Sequence, residues 1–241
     1  MPRLELVSRD LRRLTLGAGA VDYVLVRRRG RRGVALKVDY GGLTVSAPVT
    51  LSLARIEAFV RASERWVLRK LEEWGRRRVP EVSWRDGDAL PWLGDTVVLR
   101  NALGAPRVAL CEGELRVATR AGDPEAIRRA VIAWYKRAAL PYLSSRVALL
   151  AECAGLVPPR VFISPARTRW GSCDSRRQVR LAWRLGKAPP RLIDYVICHE
   201  LAHLRHMNHS RAFWAEVERQ CPGYQLLRDE LHATDHLYRS F

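Results

Sequence analysis

Apolar and polar residues alternate along much of the first half of the chain, as they do in half-buried β-strands. From Val21 to Val45 this alternation surrounds the arginine-rich segment Arg27–Arg32, which predicts a β-hairpin with a basic tip. Further short apolar segments through Thr119 are separated by turn-forming pairs at Asp86-Gly87, Leu93-Gly94 and Glu112-Gly113. The first 120 residues are therefore predicted to be rich in hairpins.

Two longer segments carry apolar residues at intervals of three and four, which predicts helices. The first begins at Ser52, which can accept a hydrogen bond as N-cap, and runs to about Arg78. The second begins at Asp123-Pro124-Glu125, where an acceptor, a proline and a carboxylate stand in the order that favours a helix start. It is predicted to run to about Gly155, with a kink or a break at Pro141.

Two apolar segments after the second helix, Val161–Ile163 and Val179–Leu185, predict strands joined through the polar stretch Gly171–Arg177. Pro189-Pro190 then marks the entry to another helix. We expect Val179–Leu185 to form a sheet edge beside the cleft, where an extended substrate can add through main-chain hydrogen bonds.

The composition adds a strong positive charge. The 241 residues include 42 Lys and Arg against 25 Asp and Glu, a net charge of +17, and 38 of the basic residues are arginine. Such a surface attracts the phosphates of nucleic acids. The charge is spread evenly, with +9 in residues 1–120 and +8 in residues 121–241, whereas a dedicated nucleic-acid tail would be lopsided. We therefore expect weak nucleic-acid binding without sequence preference.

The cysteines and the longest apolar runs bear on the compartment. The five cysteines are widely spaced and include no C-x-x-C pair, which predicts neither a disulfide framework nor a cysteine-zinc site. No stretch approaches 18 uninterrupted apolar residues, and the first residues run straight into charges. These features predict a cytoplasmic protein that does not enter the membrane.

The histidines are concentrated where the chemistry is expected, because all six lie in the last 43 residues. His199-Glu200-Leu201-Ala202-His203 is an H-E-x-x-H motif on the predicted helix. Histidines at positions i and i+4 project from one helix face and can bind one metal ion, with Glu200 beside them. A catalytic zinc site has three protein ligands and an open fourth position, so a third ligand is required.

The residues that follow the motif offer several candidates for this ligand: His206, His209, Glu216, Glu218 and Glu230. On a continuing helix His206 lies about 10 Å along the axis from His199, too far to share one ion. Asn208 can end the helix in the left-handed conformation, so that the chain turns back and brings His209 to the ion. A glutamate from the next helix stays an alternative.

Three other residues have two interpretations each. Arg169 either lies near the cleft, where it can neutralise an oxyanion, or stacks on Trp170 or Trp183. His232 and His236 are a second pair at i and i+4, which either holds a second metal ion or lies on a solvated terminal helix; no third ligand is evident, which favours the solvated helix.

Four blocks of the chain resemble, in order, the YgjP-like metallopeptidase family, which is related to the SprT-like zinc proteases: Arg169–Cys173, Leu181–Leu185, Ile193–Leu204 and Asn208–Trp214. The resemblance is tight over about Arg167–Leu231. It implies zinc on His199, His203 and His209 and a catalytic role for Glu200. Ala182 departs from the family pattern, which usually has asparagine there.

We therefore predict an α+β protein with two regions. Residues 1–120 form a basic, β-rich N-terminal region with one long helix, and residues 121–241 form a zincin-like metal-binding catalytic region in which helices pack on a small antiparallel sheet.

The predicted activity is hydrolysis of peptide bonds in a peptide or protein substrate. One Zn²⁺ per chain activates water, and Glu200 is the general base. Two alternatives stay open: a nucleic-acid-associated protein with a structural zinc, and a zinc amidohydrolase that acts on a non-protein substrate. Glu200 weighs against the first, because a structural site is closed by a fourth ligand and needs no free carboxylate.

Overall fold

A computed structural model of the chain describes residues 5–17, 19–39, 41–76 and 81–241. The strands are β1 Glu5–Leu16, β2 Gly19–Arg29, β3 Ala35–Asp39, β4 Gly42–Pro48, β5 Ala89–Trp92, β6 Asp95–Leu103, β7 Arg107–Cys111, β8 Glu114–Thr119, β9 Arg160–Ser164, β10 Gly171–Cys173 and β11 Gln178–Ala182. The helices are α1 Leu53–Ala62, α2 Glu64–Arg76, α3 Pro124–Cys153, α4 Pro190–Ala202, α5 Arg211–Gln220 and α6 Tyr224–Arg239. The fold is α+β, and the chain forms two compact units, Met1–Arg78 and Val79–Phe241.

The first unit is a four-stranded sheet in the order β1-β2-β4-β3, with α1 and α2 against one face. Alternate residues of the central strands, such as Tyr23 and Leu25 on β2 and Val45 on β4, are buried together with Ile56 and Val60 of α1. This period of two is the reason that the central strands are readable from the sequence.

The predicted hairpin between Val21 and Val45 is wrong, because β2 does not pair with β3. β2 pairs antiparallel with β1 and parallel with β4, and β3 pairs with β4. β1 was not predicted, since only Leu14 and Leu16 of its twelve residues are buried and its apolar pattern is faint. The arginines Arg27–Arg29 lie within β2 instead of at a hairpin tip.

The single long helix predicted from Ser52 is interrupted at Ser63, the C-cap of α1. The amide of Ser63 bonds to the carbonyl oxygens of both Phe59 and Val60, at 3.2 and 3.0 Å, which tightens the last turn before α2 begins. Ser52 is the N-cap, as predicted. The predicted end near Arg78 lies outside the described residues.

The second unit begins with a four-stranded sheet in the order β5-β6-β8-β7. The predicted hairpins at Leu93-Gly94 and Glu112-Gly113 are confirmed as the β5–β6 and β7–β8 connections. α3 follows, with Asp123 accepting a hydrogen bond from the Ala126 amide at 2.8 Å, and it continues through Pro141 without a break.

This sheet and α3 share one core with the helices that carry the histidines. Leu99 of β6 and Leu115 of β8 are buried in the same cluster as Tyr135 of α3 and Leu201 of α4. The boundary between the compact units therefore lies at residues 78 and 79, and the boundary expected near Ala121 falls inside the second unit.

A small sheet in the order β10-β11-β9 lies before the histidine helix. β11 is its central strand, parallel to β9 and antiparallel to β10, so the predicted edge at Val179–Leu185 is wrong and β10 is the edge on one side. The strand ends at Ala182, and Trp183–Lys187 form a short 3₁₀ helix. The sheet is also mixed, where a purely antiparallel one was expected.

Among the described residues, none of the helices combines the length and apolar character required to cross a membrane.

Candidate metal centre

Three histidines converge at the end of α4. His199 lies in the last turn of this helix, and His203 is its C-cap residue, so the two rings stand 5.2 Å apart between centroids. His209 comes from the segment before α5, where Ser210 is the N-cap, and its Nε2 lies 3.2 Å from Nε2 of His199. Potential ligand atoms of the three residues all lie within 4.8 Å of one another.

The chain reaches this arrangement differently from the prediction. α4 ends at Ala202, before the predicted stop, and Asn208 does not have a positive φ. His206 does not continue the helical face. Its carbonyl oxygen lies 3.1 Å from Nδ1 of His203, which assigns the ring proton to Nδ1 and leaves Nε2 with a lone pair.

Two of the three rings are in the neutral state that can bind a cation. Burial lowers the pKa of His199 to about 4, and the neighbouring His203 and His209 act in the same direction. Burial also lowers the pKa of His203. Both imidazoles are therefore neutral near pH 7, which is the form that binds metals. Two ring nitrogens that face each other at 3.2 Å need a proton or a cation between them, so the donor set fits a metal ion.

Aromatic rings of α5 support the three imidazoles from one side. The ring centroid of Phe213, which is fully buried, lies 5.0, 4.5 and 4.7 Å from those of His199, His203 and His209. Trp214 adds contacts at 5.7 and 5.8 Å to His199 and His209. The spacing of these two residues after Ser210 places them in the first turn of α5, but only the fold shows that this turn faces the histidines.

Glu200 follows His199 in the chain and is only 5% exposed. Its burial raises its pKa to about 8, an effect that the charge of Arg169 opposes. Oε2 is buried and has no hydrogen-bond partner among the described residues. The Cα of Gly171, at the start of β10, packs directly on this carboxyl group: a Cβ there would lie 2.6 Å from Cγ and 2.7 Å from Cδ of Glu200.

The family model of the YgjP-like metallopeptidase domain matches residues 32–234 of the sequence, which include the three histidines and Glu200. The chain belongs to the YgjP-like metallopeptidase family. Membership of this family implies a catalytic metal, and the predicted resemblance is confirmed.

Two solved structures are similar to part of this YgjP-like chain. The metallopeptidase zymogen of Pyrococcus abyssi abylysin is 24% identical over 37% of this chain and 90% of its own, with a TM-score of 0.35. The metallopeptidase zymogen of Methanocaldococcus jannaschii jannalysin is 19% identical over 36% of this chain and 94% of its own, with a TM-score of 0.32. Among curated proteins, none matches the chain.

The glutamates that the sequence offered as alternative third ligands have other partners in this YgjP-like domain. Glu216 is tied to Arg219 at 2.7 Å, which lowers its pKa, and Glu230 pairs with Arg191. Glu218 accepts a hydrogen bond from the backbone amide of Gly223, the N-cap of α6. Across the described ranges, the histidine cluster is the one group of three or more His, Cys, Asp or Glu side chains placed to hold a metal ion, and it does not include His232 or His236.

The first interpretation of Arg169, a place near the cleft, agrees in part with the structure, because the charge of Arg169 acts to lower the pKa of Glu200. The arginines that stack on the tryptophans are different ones: Arg239 lies 4.3 Å from the ring of Trp170 and Arg184 lies 4.2 Å from that of Trp183.

Proposed function

We propose that this YgjP-like metallopeptidase hydrolyses peptide bonds with one zinc ion held by His199, His203 and His209, and with Glu200 as general base. The observation that carries the proposal is the convergence of three imidazoles, together with a buried carboxyl group one residue after His199 whose Oε2 is unpaired among the described residues. The proposed compartment is the cytoplasm, and the cysteine pattern supports it.

Each group has a separate part in the proposed reaction. Held by His199, His203 and His209, a zinc ion would act as a Lewis acid toward the scissile carbonyl and would make water more acidic. Glu200 accepts a proton from the attacking water and then returns it to the leaving amine. Burial keeps the pKa of this carboxyl group high, whereas the charge of a nearby cation favours the carboxylate form that accepts the proton.

The cluster argues against the structural-zinc alternative. It contributes three side chains, while a structural zinc site takes four protein ligands. Glu200, the nearest carboxyl group in the sequence, is turned toward Gly171. The remaining alternative, hydrolysis of a non-protein amide, uses the same residues, so a panel of substrates separates it from the peptidase.

Gly171→Ala is expected to lower kcat on the order of 10²-fold while zinc content stays unchanged. Gly171 does not have a positive φ, so alanine is not strained there, but its methyl group overlaps the carboxyl group of Glu200 and must displace it. Steady-state kinetics and metal analysis on the same preparation check this result.

Gly33→Ala is the matched control, because a Cβ at Gly33 has no atom within 4 Å and Gly33 also lacks a positive φ. This variant should keep parental kcat. A Gly171→Ala enzyme as active as the parent would show that the position of Glu200 is not held from this side.

Weak nucleic-acid binding is the second proposed property, and it rests on charge. The unit Met1–Arg78 carries 18 basic and 8 acidic residues, a net +10, against +7 for the remaining 163 residues. We expect a labelled mixed-sequence DNA or RNA strand to bind the full chain weakly and to dissociate between about 50 and 200 mM salt, because counterion release dominates such binding. Anisotropy titrations measure this; tight binding that survives the higher salt, or a strong base preference, would contradict it.

A further inference from the structure

Two cysteine thiols meet between α4 and the end of α5. Cys198 is only 2% exposed and directly precedes His199, whereas Cys221 is the half-buried C-cap residue of α5. Each thiol is close enough to act on the other. Sγ of Cys198 also lies 3.8 Å from the carbonyl oxygen of Gln220, the residue before Cys221. This contact places the thiol of Cys198 against the peptide unit that joins Gln220 to Cys221.

The pair is separate from the metal cluster and has no part in the proposed hydrolysis. Neither sulfur belongs to the three-histidine group. The segment between the two cysteines nevertheless contains His199, His203 and His209, so that a covalent link from residue 198 to residue 221 encloses every proposed metal ligand in one loop.

We propose that Cys198 and Cys221 are an oxidisable dithiol, a modification site whose product is an intramolecular disulfide between α4 and α5. A peroxide is the class of oxidant that fits. The sulfur of Cys221 attacks one peroxide oxygen, water leaves, and a sulfenic acid forms. The sulfur of Cys198 then displaces hydroxide from that sulfur, which closes the bridge. In total two thiols lose two protons and two electrons, and hydrogen peroxide becomes two molecules of water.

The surroundings agree with this order of attack. Cys221 is the more exposed of the two, and the neighbouring Cys198 thiol lowers the pKa of the Cys221 thiol. Asp194, which is ion-paired with Arg146 at 2.6 Å, opposes ionisation of Cys221. The more accessible sulfur therefore reacts first, and the buried one resolves the sulfenic acid.

The test uses the full-length protein treated with hydrogen peroxide, digested without reductant and analysed by mass spectrometry. We expect a peptide pair joined through Cys198 and Cys221, lighter by two hydrogens than the free peptides and separated again by dithiothreitol. Cys221→Ser should abolish the pair. Cys153→Ser, which removes an exposed cysteine, should leave it in place.

The oxidised protein should also melt higher than the reduced protein, by roughly 5 °C, because the bridge restricts the unfolded chain. Both readouts are independent of peptidase activity, so their failure does not bear on the proposed hydrolysis. The inference is overturned if Cys221 accumulates as a sulfenic or sulfinic acid while Cys198 stays reduced, or if wild-type disulfides form mainly through Cys111 or Cys153. A linked protein whose Tm does not rise overturns the stabilising role of the bridge.

Discussion

Replacement of His199, His203 or His209 by alanine is expected to remove most of the bound zinc, with a loss of affinity above about 100-fold. Each variant leaves only two of the three imidazoles, and loss of a direct ligand costs more than the 10- to 100-fold typical of residues that only orient a ligand. Hydrolysis should fall with the metal, because the proposed reaction requires it. Metal analysis of dialysed protein by atomic emission checks the result.

His206→Ala is the matched control. The backbone carbonyl of His206, and not its imidazole, contacts Nδ1 of His203, and alanine keeps this carbonyl. The variant should therefore hold one zinc per chain, like the parent. A His206→Ala protein without zinc, together with a His209→Ala protein that retains it, would reverse the proposed ligand assignment.

Glu200→Gln is expected to lower kcat by about 10² to 10⁴, the usual contribution of a positioned acid-base group, and to leave zinc content unchanged. Glutamine has the shape of glutamate but cannot accept a proton. Glu200 is not one of the proposed ligands, so the three imidazoles keep their ion.

The Glu200→Gln protein should also fold like the parent. The buried Oε2 of Glu200 has no hydrogen-bond partner among the described residues, so an amide of the same shape breaks no hydrogen bond at that atom. Circular dichroism and the Tm of the two proteins check that any loss of activity arises in the chemical step. A marked fall in Tm would instead assign Glu200 a structural part.

The features that could be predicted from the sequence are local ones. His199 and His203 share a side of α4 because residues four apart on a helix always do, whatever the remainder of the fold. Helix starts at Ser52 and Asp123 were also predictable, since each cap depends on a hydrogen bond to an amide three residues ahead. His209 was predicted as the third ligand, and its ring does lie with those of His199 and His203, although the helix ends earlier and without a left-handed Asn208.

Features that depend on distant segments could not be predicted. The parallel pairing of β2 with β4 depends on β1, whose exposed residues give almost no pattern. The contact between Gly171 and Glu200 joins β10 to α4, and nothing at either position indicates the other. The central position of β11 could not be predicted either, because a short apolar strand has the same sequence pattern at the centre of a sheet and at its edge.

The most direct test of the proposed peptidase is the rate at which an unfolded protein such as casein is cleaved by the parent and by Glu200→Gln, each at one zinc per chain. A purely structural zinc would give no difference between proteins of equal metal content. The proposed mechanism predicts that the parent cleaves casein and that the variant does so at least about 10²-fold more slowly. Equal cleavage by the two zinc-loaded proteins would contradict it.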